Sequence, residues 1–239
     1  MIVLNDLLDY NNLKIYQDTE MFNFSLDSVL LANFVTINKS VKKILDIGTG
    51  NAPIPLILTT KTNSKIDAIE LQKKSYELAK KSIEYNKLDS RIHLINDDIN
   101  IYYNSINSDT YDVITCNPPF FKIEDSSKKN LSEAKKIARH EFTLKLENIF
   151  IISKKILKNN GRIAIVHRPE RMIEIIELMK ENGIEPKRLQ FVYSKENLDA
   201  KMILIEGVKS GKKGLKVLNP IYVHNEDGSY TKTILDLMK

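Results

Sequence analysis

The sequence predicts an α/β fold in which a mostly parallel sheet carries helices on both faces and ends in an antiparallel pair. From residue 41 onward, strand-like and helix-like segments alternate, which is typical of parallel strands joined by right-handed crossovers. Late in the chain, the strand-like runs 188–193 and 201–205 are separated only by a short turn, which indicates antiparallel pairing at one edge of the sheet. The 239 residues are enough for one sizeable core, or for a core with a small appended lobe.

The order of the predicted elements follows from hydrophobic periodicity and from turn residues. An amphipathic helix is predicted over Leu26–Phe34, with Ser25 or Asp27 as its N-cap. Strands are predicted over 43–47, 65–70, 91–95, 111–115, 161–166, 188–193 and 201–205, and helices over 53–60, 72–85, 141–157 and 170–181. The residues after Gly211 are predicted to form an irregular end strand over 220–224 and a short terminal helix.

No repeat, low-complexity tract or long linker divides the chain, so one main domain is expected. Residues 1–40 are interpreted as an N-terminal segment whose helix packs on the core. Residues 41–210 are interpreted as the core itself, and residues 211–239 as a C-terminal extension of the same domain.

Composition excludes several classes of protein. Hydrophobic residues make up 42% of the chain and are evenly spread, which excludes a disordered tail protein. No apolar run approaches the ~18 residues of a membrane span, so no membrane partner is expected. The N-terminus lacks the features of a signal peptide, and the only cysteine, Cys116, can form no intramolecular disulfide. We therefore expect a cytoplasmic protein, with no bound metal because the four histidines lack ligand spacing, and we expect a monomer.

The run Asp46-Ile47-Gly48-Thr49-Gly50 lies at a strand-to-helix turn, where nucleotide-like ligands bind in such sheets. Glycines there let the backbone approach a ligand closely. Glu70, at the end of the next strand, is suited to accept hydrogen bonds from both hydroxyls of a ribose.

Asp97 and Asp98 follow the third strand, where one carboxylate is expected to meet an adenine amino group; Asp98 is the better candidate and Asp97 the alternate. The third glycine of a dinucleotide fingerprint is absent, and Pro53 and Pro55 remove two amides that a pyrophosphate would need. These features favour S-adenosylmethionine (SAM) over NAD as the cofactor.

The end of the fourth strand carries the most specific motif, Asn117-Pro118-Pro119-Phe120. The two prolines restrict the backbone and remove two donors, which leaves the Asn117 side-chain carbonyl and the Pro118 backbone carbonyl as acceptors. Two acceptors facing the same way suit a planar amino group, and Phe120 is suited to stack on the ring that bears it. An exocyclic amine is barely basic, so orientation is the expected form of catalysis.

These motifs resemble those of class I SAM-dependent methyltransferases that methylate amino groups. Three further stretches make the chain similar to the bacterial tRNA(Val) (adenine 37-N6)-methyltransferase family: Phe24–Ala32, Ala138-Arg139-His140-Glu141 and His167-Arg168-Pro169-Glu170-Arg171. The resemblance implies a Rossmann-like, seven-stranded methyltransferase sheet, SAM as methyl donor, tRNA as partner and N6-methyladenosine next to the anticodon as product.

The resemblance also assigns candidate site residues. The catalytic candidates are Asn117, Pro118, Pro119 and Phe120. The cofactor-binding candidates are Asp46, Gly48, Thr49, Gly50, Glu70, Leu71, Asp97, Asp98 and Asn117. One departure is Ala52, where the family usually has glycine; we expect its methyl group to narrow the space near the methionine part of SAM and so to affect cofactor affinity rather than reaction type.

The charge distribution fits an RNA partner. Residues 1–121 hold 12 basic and 15 acidic residues, whereas residues 122–239 hold 24 basic and 16 acidic residues. The basic half begins directly after the Asn-Pro-Pro-Phe motif, so we expect it to hold phosphates around a base turned out of its stack. The RNA-binding candidates are Lys122, Lys128, Lys129, Arg139, His140, Arg168 and Arg171.

Two alternative functions remain open at this point. The same chemistry would serve adenine or guanine amines in ribosomal RNA, or the glutamine side-chain amide of a protein, although enzymes of the latter kind typically have tyrosine where Phe120 stands. The other alternative, from a different class, is a catalytically inactive RNA-binding module that retains the fold.

Overall fold

The computed structural model describes residues 1–7, 10, 12–19, 26–119 and 144–238. Their strands are β1 (Ile2–Asp6), β2 (Lys14–Asp18), β3 (Lys43–Ile47), β4 (Lys65–Ile69), β5 (Ile92–Ile95), β6 (Tyr111–Cys116), β7 (Leu157–His167), β8 (Ile184–Tyr193), β9 (Ala200–Lys209), β10 (Lys216–Val217) and β11 (Ile221–Tyr222). Their α-helices are α1 (Leu26–Phe34), α2 (Pro53–Lys61), α3 (Lys73–Tyr85), α4 (Ile99–Tyr102), α5 (Leu146–Ile156), α6 (Met172–Glu181) and α7 (Lys232–Leu237).

The central sheet has the order β5-β4-β3-β6-β7-β9-β8, and β10 and β11 both pair with the far side of β8. All neighbours are parallel except β9, which is antiparallel to both β7 and β8. The predicted fold class is therefore confirmed, with two differences in detail. The antiparallel strand lies one position inside the edge rather than at it, and the two short strands raise the count among the described residues to nine.

Two apolar layers enclose the sheet because successive side chains of a buried strand point to opposite faces. Ile44 and Val113 pack on the face covered by α1, α2, α3 and α7, whereas Leu45 and Ile114 pack on the face covered by α5 and α6. Continuous runs of apolar residues in these strands are what a parallel sheet covered on both faces requires.

The boundaries differ from the predicted ones where proline and strand pairing intervene. The helix predicted over 170–181 begins as a 3₁₀ turn, Pro169–Arg171, and becomes α-helical only in α6. Strand β7 starts at Leu157, directly after α5, four residues before the predicted strand, and Tyr111 pairs with this early segment. The helix predicted over 141–157 is described from Leu146.

An N-terminal hairpin was not predicted. Strands β1 and β2 pair antiparallel, with Ile2 opposite Asp18, and β2 packs on α3. The contacts that hold the hairpin are distant in sequence: Tyr16 donates its N–H to Ser82 Oγ (2.9 Å), and Asn86 Nδ2 donates to the Lys14 carbonyl (2.7 Å).

Helix α1 is buried on most sides, since six of its nine residues are inaccessible, and it contacts α2, β7 and β9. A carboxylate on β9 holds the residues that follow the helix. Glu206, 1% exposed, accepts hydrogen bonds from the Thr36 N–H (2.7 Å) and the Thr36 hydroxyl (2.8 Å). Arg188 donates to the Phe34 carbonyl (2.8 Å) and lies 3.6 Å from Glu206. The C-terminal end of α1 is thus fixed to the sheet by a buried ionic network.

The described ranges contain neither a membrane-spanning helix nor a metal-binding cluster. No helix there has the length and apolarity that crossing a bilayer requires. Nor does any group of three or more His, Cys, Asp and Glu side chains in that part of the chain lie close enough together to hold a metal ion.

Candidate active site

The carboxyl ends of the parallel strands β4, β3, β6 and β7 meet at one edge of the sheet, with β5 outermost. The loops that leave these ends carry the acidic and glycine-rich segments predicted from the sequence, together with the Asn117 motif. Ligands of open α/β sheets bind at this edge, so the topology brings the predicted cofactor and acceptor residues together.

The turn after β3 folds over the end of β4. The N–H groups of Gly48 and Thr49 both donate to the Ile69 carbonyl at 3.0 Å. Gly48 and Gly50 have φ values of +68° and +60°, a region that disfavours residues with a Cβ atom. A Cβ at Gly50 would meet nothing within 4 Å, so this glycine faces open space in which a ligand fits.

Glu70 lies beneath the turn and is 4% exposed. One carboxylate oxygen accepts from the Gly50 N–H (2.8 Å), and the other accepts from the Gln72 N–H (2.8 Å). The two bonds fix the carboxylate in one orientation and leave lone pairs for further donors such as ribose hydroxyls.

Asp46 is buried, and Thr115 on the adjacent strand β6 donates its hydroxyl to Asp46 Oδ1 (2.5 Å). Burial raises the pKa of Asp46 to about 7; the hydroxyls of Thr115 and Thr49 oppose the rise, and the Glu70 carboxylate adds to it. Asp46 Oδ2 has no hydrogen-bond partner among the described residues. A cationic or hydrogen-bonding group of a ligand would satisfy this buried oxygen.

The two aspartates after β5 differ in environment. Asp98 caps α4: its Oδ1 accepts from the N–H and the side-chain amide of Asn100 at 2.9 and 2.8 Å. Asp97 is exposed and accepts from the Asp98 N–H (2.7 Å). Leu71, beside Glu70, is 42% exposed and offers an apolar surface at the same edge.

These features fit a nucleoside that lacks a pyrophosphate. The glycine turn leaves space, Glu70 is held in place, and Asp46 has an unsatisfied buried oxygen. Helix α2 opens with Pro53 and has Pro55 in the same turn, so two of the N–H groups that would bind a phosphate are missing. The donor and acceptor set therefore fits SAM.

Ala52 adopts a left-handed conformation (φ 69°, ψ 35°) that favours glycine. Its methyl group is fully buried and belongs to the apolar layer on the α1 and α2 face. The methyl group therefore packs in the core, which argues against our expectation that it narrows the space for the cofactor.

Asn117 follows β6 directly, and its neighbour Cys116 is paired with Ile165 of β7. Its side-chain Nδ2 donates to the hydroxyl of Ser28 in α1 (3.2 Å). Pro118 is buried and Pro119 is half-buried. Phe120, the fourth predicted catalytic residue, lies outside the described residues.

Most of the predicted RNA-binding residues also lie outside the described part of the chain, namely Lys122, Lys128, Lys129, Arg139 and His140. Arg168 and Arg171 follow β7 at the same edge of the sheet as Asn117. Arg168 is exposed, whereas Arg171 makes two hydrogen bonds to Glu174, at 2.6 and 2.5 Å. Because this ion pair neutralises much of its charge, Arg171 is the weaker candidate of the two.

The surroundings of Cys116, His93 and His167 are those of structural residues. Cys116 is buried, and burial raises the pKa of its thiol well above the usual value. His93 lies on the edge strand β5, 3.4 Å from Asp67. His167 is buried at the end of β7; burial, reinforced by the nearby charge of Arg171, lowers its pKa to about 4.

Three residues near the site were not predicted from the sequence. Thr115 orients Asp46, Ser28 contacts Asn117, and Asn96 donates from Nδ2 to the carbonyls of Glu70 (2.8 Å) and Leu71 (3.2 Å). Each is a small polar residue whose partner lies on another element, and only the position of Ser28 inside the Phe24–Ala32 stretch offered any signal.

Comparisons with known proteins identify the family and the fold. The family model described as "Methyltransferase small domain" matches residues 14–182. Three relatives are named tRNA1(Val) (adenine(37)-N6)-methyltransferase. That of Aliivibrio salmonicida is 29% identical, with 90% of this chain and 88% of the relative covered. The relative from Bacteroides fragilis is 27% identical over 93% of both chains. That of Trichodesmium erythraeum is 28% identical, with coverage of 96% and 95%.

Solved structures share the fold at low sequence identity. A predicted O-methyltransferase from Agrobacterium tumefaciens superposes with a TM-score of 0.70 at 17% identity, covering 89% of this chain and 95% of that one. The Pyrococcus horikoshii TYW2 protein in complex with MeSAdo superposes with a TM-score of 0.60 at 15% identity, covering 88% and 72%.

Proposed function

The chain belongs to the methyltransferase small domain family, and we propose that it transfers a methyl group from SAM to the exocyclic N6 amine of an adenine in tRNA. The names of the relatives support A37 of tRNA(Val), next to the anticodon, as the target nucleotide. A tRNA substrate and a single cysteine together favour the cytoplasm as the compartment.

The observation that carries the proposal is the position of Asn117-Pro118-Pro119 beside the glycine-rich turn. Strands β3 and β6 are hydrogen-bonded neighbours, with Ile47 opposite Cys116, so both loops leave the sheet side by side. A methyl donor held by the first loop and an amine held by the second are then close enough to react.

On the cofactor side, each residue has an assigned task. Glu70 accepts hydrogen bonds from the ribose hydroxyls, and Asp98, with Asp97 as the alternate, accepts from the adenine amine. Leu71 packs against the base. Gly48–Gly50 and Asp46 hold the methionine end. When bound, SAM supplies a methyl group on a positively charged sulfur, which a nucleophilic nitrogen displaces.

On the acceptor side, Asn117 and Pro118 orient the target amine. The side-chain carbonyl of Asn117 and the backbone carbonyl of Pro118 each accept one N–H of the amine, so that its lone pair faces the methyl donor. These contacts strengthen as positive charge develops on nitrogen, which lowers the barrier selectively. Phe120 stacks on the adenine ring. No general base is needed because the methylated amine loses its extra proton readily.

The test of the proposed function uses labelled SAM with total tRNA, followed by nucleoside analysis. We expect label in N6-methyladenosine from one tRNA species. Label in ribosomal RNA, or in a protein glutamine, would support one of the alternative acceptors instead. Absence of label in every acceptor, together with absence of SAM binding, would support an inactive RNA-binding module.

A variant separates the two halves of the site. Asn117→Ala removes the side-chain acceptor without touching Glu70 or the glycine-rich turn. We expect turnover to be abolished while the affinity for SAM stays within about threefold of the wild type. Survival of activity in this variant would refute the proposed role of Asn117.

The RNA surface is tested by the salt dependence of tRNA binding. A variant that removes the charges of Lys128, Lys129 and Arg139 is expected to flatten the log–log slope by about 0.7–0.9 per lost phosphate contact. The control variant removes three exposed lysines from the opposite edge of the sheet, Lys39, Lys65 and Lys212. Equal slopes in the two variants would overturn the assignment of the basic segment, and Arg168→Ala tests the neighbouring loop in the same way.

A further inference from the structure

We infer that Ser28 is a positioning residue for methyl transfer, because its hydroxyl anchors the Asn117 amide to α1 by accepting from Nδ2, which leaves Oδ1 towards the incoming amine. The inference rests on the proposed function, since it concerns the acceptor side of that site. Ser28 lies in the Phe24–Ala32 stretch, for which the proposed chemistry has otherwise no use.

The side-chain amide of asparagine has nearly the same shape in two orientations that differ by a half-turn. In one orientation Oδ1 faces the acceptor space, and in the other the NH2 group does. Only the first accepts an N–H from an amine; the second sets a donor against a donor. The neighbours of Asn117 therefore decide whether the site works.

Ser28 Oγ receives the hydrogen bond of Asn117 Nδ2 at 3.2 Å. Because Oδ1 and Nδ2 are on opposite branches of a planar group, binding Nδ2 to α1 turns Oδ1 away from the helix. The two residues after Asn117 are prolines, which have no N–H, so neither backbone amide competes for Oδ1. Both facts leave Oδ1 available as an acceptor.

The hydroxyl is itself held firmly. Ser28 is 5% exposed, so water has little access to the bond. Helix α1 packs on α2, β7 and β9, and the residues after it are hydrogen-bonded to Glu206. Because α1 is fixed to the core, Ser28 holds the Asn117 amide in place relative to the core, although Asn117 lies at the start of a loop.

The experiment compares Ser28→Ala and Ser28→Thr with Ser64→Ala as the matched control. Ser64 is likewise buried, its Oγ donates to the Val41 carbonyl (2.8 Å), and it precedes β4 at the opposite edge of the sheet. For each variant we measure kcat and KM for the acceptor, and Kd for SAM by calorimetry. SAM binding also reports that the variant is folded.

We expect Ser28→Ala to lower kcat about tenfold to a hundredfold, with Kd for SAM within twofold of the wild type. Ser28→Thr, which keeps a hydroxyl, should recover at least a third of the wild-type kcat, and Ser64→Ala should leave kcat unchanged. A Ser28→Ala kcat within twofold of the wild type overturns the inference. So does a Ser28→Thr variant that binds SAM normally yet is as slow as Ser28→Ala.

The two proposals fail in different ways. The variants are compared on whichever acceptor the wild type labels. Label in an acceptor other than tRNA adenine refutes the proposed function, while the ratio of kcat values still decides the role of Ser28, because any amine or amide nitrogen needs Oδ1 as its acceptor.

Discussion

Replacing Glu70 with glutamine changes one carboxylate oxygen into an NH2 group and leaves the size of the side chain unchanged. In the wild type, both oxygens accept backbone N–H groups at 2.8 Å, one from Gly50 and one from Gln72. A carboxamide has a single oxygen, so in either orientation one of these N–H groups must face another donor. At 4% exposure, water does not replace the lost acceptor.

The size of the expected loss of stability follows from the number of hydrogen bonds that the substitution removes. Loss of one hydrogen bond to a charged acceptor lowers the free energy of unfolding by about 1.5–3 kcal/mol. For a chain of this size that corresponds to a fall in Tm of about 3–12 °C. For SAM binding, the substitution leaves the ribose hydroxyls one neutral acceptor oxygen in place of two charged ones. The affinity for SAM should therefore fall about 10- to 100-fold.

The assay is differential scanning fluorimetry for stability and calorimetry for SAM. Glu77→Gln is the matched control: Glu77 is on the exposed side of α3, 3.9 Å from Lys73, so its replacement should change Tm by less than about 1 °C. If Glu70→Gln binds SAM within twofold of the wild type, Glu70 does not hold the ribose. If Glu70→Gln also has the same Tm as the wild type, the two backbone hydrogen bonds contribute nothing measurable to stability, and the predicted destabilisation is refuted.

Three further predictions concern groups around the site. Between pH ~4 and its folded pKa of about 7, Asp46 keeps a proton only in the folded protein, so its own contribution to stability falls by about 1.4 kcal/mol per pH unit. His167, with a folded pKa of about 4, contributes an opposite slope up to pH ~6.5, so the Asp46 effect is measured as the difference in urea-unfolding free energy between the wild type and Asp46→Asn at pH 5 and pH 7. A difference that is the same at both pH values would refute the pKa of Asp46. Ala52→Gly relieves about 1 kcal/mol of left-handed backbone strain but removes a buried methyl group that contributes about 0.8 kcal/mol, so the free energy of unfolding should change by less than about 1 kcal/mol. Calorimetry should give an unchanged Kd for SAM. A fivefold tighter Kd would show that the methyl group narrows the cofactor space. Glu206→Gln leaves Arg162 and Arg188 without their buried counter-charge, and thermal melts should show a stability loss of about 1–3 kcal/mol, whereas an unchanged Tm would mean that the network is not coupled to the fold.

The parallel sheet, and the placement of the cofactor-binding candidates at one edge of it, could be predicted because their signals are local. The glycine turn, Glu70 and the aspartate pair each directly follow an apolar strand, and strand ends converge by topology alone. The same logic placed Asn117 beside the turn. For these residues the position in the sequence was enough, because each follows a strand that can itself be predicted.

The unpredicted features depend on contacts between distant segments. Strand β1 is largely exposed, and the support of the hairpin comes through β2 from Ser82 of α3 and from Asn86, which follows that helix, more than 60 residues away. The contact of Ser28 with Asn117 spans 89 residues. The burial of Ala52 in the apolar layer was likewise not evident from the sequence, because a residue type indicates that a methyl group is present but not what it packs against.

The position of β9 between β7 and β8 has a consequence for biosynthesis. A nascent chain that has not reached residue 200 already contains every predicted cofactor and acceptor residue, but β7 and β8 then lack the strand that joins them. The sheet is therefore completed by insertion of a late strand rather than by addition at its margin. Glu206 arrives with that strand and fixes the end of α1, so the support of the Asn117 amide is completed only late in translation. Unfinished chains are accordingly expected to lack methyl transfer even where they can bind the cofactor, which limits RNA modification to completed molecules.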